Sequence, residues 1–213
     1  MADPDEASRT VSVPMRRLPH WLHGFGSRHG DFSVAPCGEP AGWVLAAADG
    51  CLAVVGAPPW LGQLPDDPGE LAGLRPVFGA LLVRRAGYAV ARFAGSERAE
   101  AKVGRRHIHG RTAAGGWSQQ RYARRRSNQA DEIAGAAALA ADRILVARPE
   151  VAFLVTGGDR PLLADALRAA DHRLAALPIG AHLAMGTPDA SVLAGLPDRV
   201  LAVRIHLREP AAS

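Results

Sequence analysis

The chain has 213 residues, 48% of them hydrophobic, and 25 Lys or Arg against 21 Asp or Glu give it a formal net charge of +4. That length supports one sizeable core, or a domain with a small appendage. No apolar run approaches the ~20 residues with which a helix crosses a bilayer, so no membrane-spanning helix is expected.

Residues 1–10 read as a disordered tail, polar and acidic and unlike a secretory leader. Over 16–29 the apolar residues Leu18, Trp21, Leu22 and Phe25 recur at helical spacing and predict a short amphipathic helix packed on the domain. Strand-like runs follow at 43–48, 51–55, 80–84 and 88–93, the last two joined by Ala86-Gly87, which suggests an antiparallel meander. Between them, 56–76 is rich in Pro, Gly and Asp and reads as a surface excursion with little regular structure. A further strand is expected at 97–103, then a mobile loop over 104–118, or to about 120 if it runs into the next helix. Residues 119–146, Ala-rich and free of Pro, predict the long helix, with Ile133, Ala137, Ala140 and Ile144 on one face.

The remainder alternates. A strand is expected at 151–155, then the turn Thr156-Gly157-Gly158-Asp159 and a helix at 161–170 that starts on Pro161. A strand at 173–177, a helical or irregular stretch at 181–196 and a strand at 199–207 complete the chain. Strands first and helix-strand alternation later predict an α/β (α+β) fold: one domain over 11–213 with a mixed sheet and flanking helices.

Cys37 and Cys51 fit neither a zinc spacing nor a disulfide framework, so a reducing cytoplasm is the expected location. Of the 25 basic residues only Lys102 is Lys, and 42 residues are Ala, a skew that makes clustering, rather than arginine identity, the informative signal. Residues 101–130 hold eight cations and no Asp or Glu: Lys102, Arg105, Arg106, Arg111, Arg121, Arg124, Arg125 and Arg126. The rest of the chain is net acidic, so the whole positive excess comes from this segment. That asymmetry points to a polyphosphate partner met by one face.

Within the segment, Gly115-Gly116-Trp117-Ser118-Gln119-Gln120 has the composition of a mobile tip. Tandem glycines open backbone conformations closed to other residues. A glutamine amide accepts from a water and donates to a carbonyl, which suits orienting water in an active centre built mostly by a partner. The same tip is also compatible with a flexible loop that only contacts RNA. If a helix starts near Gln119, Arg121, Arg124 and Arg125 share one face, while Arg105, Arg106, His107, His109 and Arg111 flank the other side of the loop.

His107 and His109 could share one side of a strand as a metal pair, but no third ligand is near, so neither metal nor cofactor is expected. The acids are too scattered for a two-metal nuclease. Thr156-Gly157-Gly158-Asp159 lacks both the dinucleotide fingerprint and the P-loop lysine and reads as a tight strand-to-helix turn with Asp159 as helix cap. Trp21, Trp43 and Trp60 read as packing residues, and Trp117 as an RNA contact.

The Gly-Gly-x-Gln-type loop on a basic stem, followed by a long helix, resembles the catalytic domain of the eukaryotic and archaeal class-one peptide release factors. It is closer still to the Vms-like release factors, peptidyl-tRNA hydrolases of ribosome quality control with a Gly-Ser-Gln type loop, and the Ala/Arg-rich composition suggests their actinobacterial branch. The motif match covers roughly residues 105–128. The resemblance implies a ribonuclease-H-like domain and a loop that enters the peptidyl-transferase centre of the large ribosomal subunit. Its partners would be 23S rRNA and peptidyl-tRNA, with no membrane and no DNA.

By the same resemblance, Gly115 and Gly116 match the family's glycines, Ser118 its serine and Gln119 the glutamine that helps water attack the peptidyl-tRNA ester. Trp117 departs from the pattern and leaves Gln120 as the second choice. Lys102, Arg105, Arg106, His107, His109, Arg111, Trp117, Arg121, Arg124, Arg125 and Arg126 would contact RNA. The alternative is a non-catalytic ribosome- or RNA-binding module using the same basic loop.

Overall fold

The computed structural model describes residues 8–39, 41–105, 118–148 and 150–209, with only the backbone described over 118–127. The chain divides into two compact units, Met1–Leu74 with Leu201–Ser213, and Arg75–Val200. The architecture is α+β, as composition and element order predict, but the strands form two five-stranded sheets.

In the first unit the sheet is antiparallel throughout, in the order β1 (Ser8–Pro14), β10 (Ala202–Arg208), β4 (Leu52–Gly56), β3 (Ala41–Ala47), β2 (Phe32–Gly38). Its inner face buries Val13, Trp43, Leu45, Ala53, Val55, Val203, Ile205 and Leu207. On that side lies α1 (Leu18–His29), whose Phe25 stacks with Trp21 and meets Phe32 of β2 edge-on at 5.3 Å between ring centres. The helix begins two residues later than its apolar spacing predicts, because Met15–Arg17 forms a 3-10 turn first. The Pro- and Asp-rich excursion contains a single 3-10 turn, Pro68–Gly73, with Asp67 and Glu70 forming a capping box at its start.

One expectation fails here, and one strand forms where none was expected. Ser8–Pro14 is a strand although 1–10 reads as a tail: Ser8 to Thr10 pair with Arg208 to His206, a partner nearly 200 residues away that no local pattern reveals. Phe32–Gly38 carries Pro36 and mostly small residues and gives little strand signal, yet it pairs with β3 as an edge strand, where proline is tolerated.

The second unit has a mixed sheet in the order β7 (Glu97–Arg105), β6 (Gly87–Ala94), β5 (Val77–Arg84), β8 (Phe153–Gly158), β9 (Ile179–Leu183). β7, β6 and β5 are antiparallel neighbours, while β5, β8 and β9 run parallel. One face is covered by α2 (Ser118–Ala141) and α3 (Arg160–Ala169). Ile133, Ala134, Ala137, Ala140 and Ala141 of α2 pack with Leu81, Val83, Val90 and Leu154 of the sheet and with Leu162, Leu163 and Ala166 of α3. The alanine row lets backbone approach backbone closely. α2 ends in a π-helical turn, Asp142–Val146, whose extra residue brings both Ile144 and Leu145 into the core.

The expected strand at 173–177 is a helix instead, α4 (His172–Ala175): the Asp171 carboxylate accepts from Arg173 N at 2.9 Å and caps it, and the next strand starts only after Pro178. The stretch 181–196, expected helical or irregular, begins within β9 and then forms α5 (Ala190–Ala194), capped by Asp189. The strand expected at 199–207 gives up its start to α6 (Leu196–Val200).

Candidate functional site

The basic segment falls in the second unit, between an edge strand and the long helix. β7 has one neighbour in the sheet, and Glu97, Arg98, Lys102 and Arg105 stand exposed along it, the charged edge that discourages sheet-to-sheet pairing. Its register with β6 sets Lys102 opposite Val90, Gly104 opposite Tyr88 and Arg105 opposite Gly87. β7 therefore runs two residues further than 97–103, and α2 already begins at Ser118. The stretch between the two stems is 106–117, shorter at both ends than the expected 104–118 or 104–120.

Glycine at 104 has a specific cause. A Cβ there would lie 2.3 Å from Cε1 of the Tyr88 ring, so the ring crosses directly over the bare backbone of the edge strand. Gly87 is required for a different reason, since its Cβ would meet the Gly104 carbonyl oxygen at 2.3 Å. Two glycines and one tyrosine thus fix the last rungs before the chain leaves the sheet.

Arg105, on the final rung, points a 69% exposed guanidinium toward Asp189, 3.6 Å away. The Asp189 carboxyl lies below its usual range, mainly because it accepts from Val192 N–H, then from the Ser191 hydroxyl, with a smaller contribution from Arg105. Asp189 is thus tied to α5 first. A pair of this length whose guanidinium is exposed contributes little to stability, so Arg105 can exchange its carboxylate for a phosphate at small cost. Arg143, beyond the far end of α2, lies 3.6 Å from Glu100 of β7.

Ser118, Gln119 and Gln120 occupy the first turn of α2, and Arg121, Arg124, Arg125 and Arg126 the next two. At 1.5 Å per residue, Ser118 lies about 22 Å along the axis from Ile133, the first buried residue among the described part of this helix. The side chains of 118–127 lie outside the described residues. So do Arg106, His107, His109, Arg111, Gly115, Gly116 and Trp117 entirely. Lys102 and Arg105 are the site candidates whose side chains are described, and both are exposed on β7. Among the described residues no group of three or more His, Cys, Asp or Glu could hold a metal, and no helix is long and apolar enough to cross a membrane.

The turn at the end of β8 is tightly packed. A Cβ on Gly157 would meet Met185 Sδ at 2.9 Å and the Leu183 carbonyl at 3.0 Å, Gly158 takes φ +97°, and the Asp159 carboxylate caps α3 through Leu162 N. Beside it the buried Thr156 hydroxyl is shared between the Ala181 carbonyl at 3.3 Å and His182 Nδ1 at 3.1 Å. Burial, then the nearby Arg160, lowers the His182 pKa and favours the neutral ring. This polar pair links neighbouring strands and is structural.

Sequence reading missed Asp189 and the Gly87, Tyr88 and Gly104 arrangement. Asp189 is 84 residues from Arg105 with no shared motif, whereas glycines bounding two predicted strands were a usable signal. No curated protein matches the chain. A family model described as Actinobacteria/chloroflexi VLRF1 release factor matches residues 76–206, nearly the whole second unit together with most of β10. That match covers well over half of the 213 residues, and the chain belongs to the actinobacterial branch of the Vms-like release factor family.

Proposed function

We propose that the protein is a ribosome-dependent peptidyl-tRNA hydrolase that releases nascent peptide from stalled ribosomal complexes in the cytoplasm. The observation that carries the reading is the position of Ser118 and Gln119 in the first turn of α2, immediately after Gly115, Gly116 and Trp117 and one basic stem away from β7. In this reading residues 106–120 enter the peptidyl-transferase centre. Gln119 orients the attacking water and the scissile carbonyl through its amide, and the Gly115-Gly116 pair admits the tip to a narrow site. The first N–H groups of a helix lack intrahelical partners and favour negative charge, which suits the oxyanion that forms as water attacks the ester.

The cations divide between the stems. Lys102, Arg105, Arg106, His107, His109 and Arg111 hold RNA phosphates on one side, Arg121, Arg124, Arg125 and Arg126 on the other, and Trp117 contacts RNA at the tip. Catalysis is then mainly positioning, worth on the order of several kcal/mol, with the ribosomal RNA and the tRNA supplying the rest of the active centre. No metal or cofactor enters this scheme.

Gln119→Ala is expected to abolish release from 50S subunits carrying peptidyl-tRNA while leaving binding nearly intact. Full release by that variant, with loss in Gln120→Ala, transfers the role to Gln120. Release that survives both substitutions refutes the catalytic reading and leaves a ribosome-binding module. Efficient turnover of free peptidyl-tRNA would contradict ribosome dependence.

A further inference from the structure

The first unit carries ten Asp or Glu against six Arg, so nothing in its composition announces a nucleic-acid surface. Its sheet nevertheless carries a row of basic side chains. On β10, Val203, Ile205 and Leu207 point into the core, while Arg204, His206 and Arg208 alternate with them and are exposed. Antiparallel register sets a hydroxyl of β1 opposite each: Ser12 opposite Arg204, Thr10 opposite His206, Ser8 opposite Arg208. Thr10 Oγ1 lies 2.8 Å from His206 Nδ1. All three hydroxyl residues are exposed, and β1 is the edge of the sheet.

On the other side of the row β4 presents Leu52 and Val54 opposite Arg208 and His206. Among the described residues, the outward positions of β1, β10, β4, β3 and β2 themselves include no carboxylate. The result is three rungs, each pairing a basic side chain with a hydroxyl, repeated every second residue or about 7 Å along the strand. A repeating, uniformly donor-rich row bordered by apolar surface matches a chain of evenly spaced anions, and guanidinium plus hydroxyl is the donor set that phosphate oxygens accept from.

We propose that this face is a second RNA contact, in which Arg204, His206 and Arg208 of β10 with Ser8, Thr10 and Ser12 of β1 hold successive phosphates of one ribosomal RNA strand. The choice of ribosomal RNA as occupant rests on the release-factor reading. The row itself rests on its geometry. It reads backbone and not sequence, since it offers no aromatic platform and no group aimed at base edges. Its role is to raise the affinity of the factor for the ribosome independently of the basic loop.

The test uses the full chain, the Arg204→Gln/Arg208→Gln variant and Arg204→Glu/Arg208→Glu, each checked for native thermal unfolding. Binding to 50S subunits carrying peptidyl-tRNA and to protein-free 23S rRNA is measured between 50 and 200 mM salt. Removing two single-strand phosphate contacts at about 0.7 each lowers the slope of log affinity on log salt by about 1.4, so the wild type loses roughly sevenfold more affinity across that range than the glutamine variant. The charge reversal is expected to bind weaker still at every salt concentration, while release from factor already bound is unchanged. Unaltered slope and affinity in both variants overturn the inference. Loss on the ribosome with undiminished binding to protein-free rRNA also overturns it and places an acidic protein on the row. If the paired arginine variants fail to fold, Thr10→Asp and Ser12→Asp introduce charge without removing the row, and undiminished binding by them refutes it. A wild-type chain that ignores 50S subunits refutes the release-factor reading and the ribosomal target with it.

Discussion

Gly104→Ala probes the rungs from which the basic segment departs. The added methyl would fall 2.3 Å from Tyr88 Cε1 and 2.6 Å from Cζ. Carbon atoms are at ease at about 3.5 Å, so the ring must retreat by about 1.2 Å. Tyr88 is partly buried and packs against the core shared by the sheet, α2 and α3, so the retreat disturbs neighbours and should cost about 1–3 kcal/mol. In a Tyr88→Ala background the obstacle is gone, and replacing glycine by alanine inside a strand regains about 0.5–1 kcal/mol. The same substitution should therefore change sign between the two backgrounds. Urea unfolding of the four members of this double-mutant cycle measures it. Gly87→Ala serves as the control: its methyl meets a backbone carbonyl oxygen, so removal of the Tyr88 ring should not rescue it. An equal cost of Gly104→Ala in both backgrounds would refute the steric argument and show that the backbone alone demands glycine.

Three other outcomes follow from particular contacts. Ala137→Leu, at a fully buried position on the alanine face of α2, should push the helix off the sheet and cost about 1–3 kcal/mol in chemical denaturation. Arg105→Ala should change stability by no more than about 0.5 kcal/mol, because its guanidinium is exposed and lies 3.6 Å from Asp189, yet weaken ribosome binding and reduce its salt slope; a variant that unfolds would instead make the Asp189 contact structural. Asp171 accepts from the Arg173 guanidinium and backbone N–H, which hold its carboxyl down to about 2. A lowered folded-state value means its contribution is complete above the ordinary carboxylate range and lost as pH falls toward 2. The stability gap between wild type and Asp171→Asn should accordingly be widest near neutrality and close below pH 4, and a gap constant from pH 6 to pH 2 would contradict the ion-pair assignment.

What the sequence makes legible follows how local the signal is. The long helix is announced by Ile133, Ala137, Ala140 and Ile144, and it starts within one residue of the expected place. The cap at Asp159 is read from Pro161 and the turn chemistry before it. The hairpin between β5 and β6 is equally local, although its turn is Arg85-Ala86 and Gly87, expected in the turn, opens β6 opposite Arg84. β1 is invisible because its reason to be a strand is β10, at the other end of the chain. The helix at His172–Ala175 is missed because four residues are too few for periodicity to speak, and the Asp171 cap decides instead. Of the site, the charge concentration and the Ser118-Gln119 pair are readable from composition, whereas the exchange partner of Arg105 is a tertiary contact that spacing cannot encode.

The division of the chain sharpens what the family match explains. It spans 76–206, so it embraces β5 to β9 and α2 to α6 but leaves α1 and β1 to β4 outside. The proposed release chemistry belongs to the matched part, with β7 and α2 as its stems. The row of Arg204, His206 and Arg208 lies where the match ends, on a strand that completes a sheet otherwise built from unmatched residues. Its hydroxyl partners, Ser8, Thr10 and Ser12, come from that unmatched portion. If the row holds RNA, its contribution is additive with that of the loop, because the two use different side chains on different units. Combining Arg204→Gln/Arg208→Gln with Arg124→Ala/Arg125→Ala should then give salt slopes that sum. Slopes that fail to sum would mean that one set of cations positions the other.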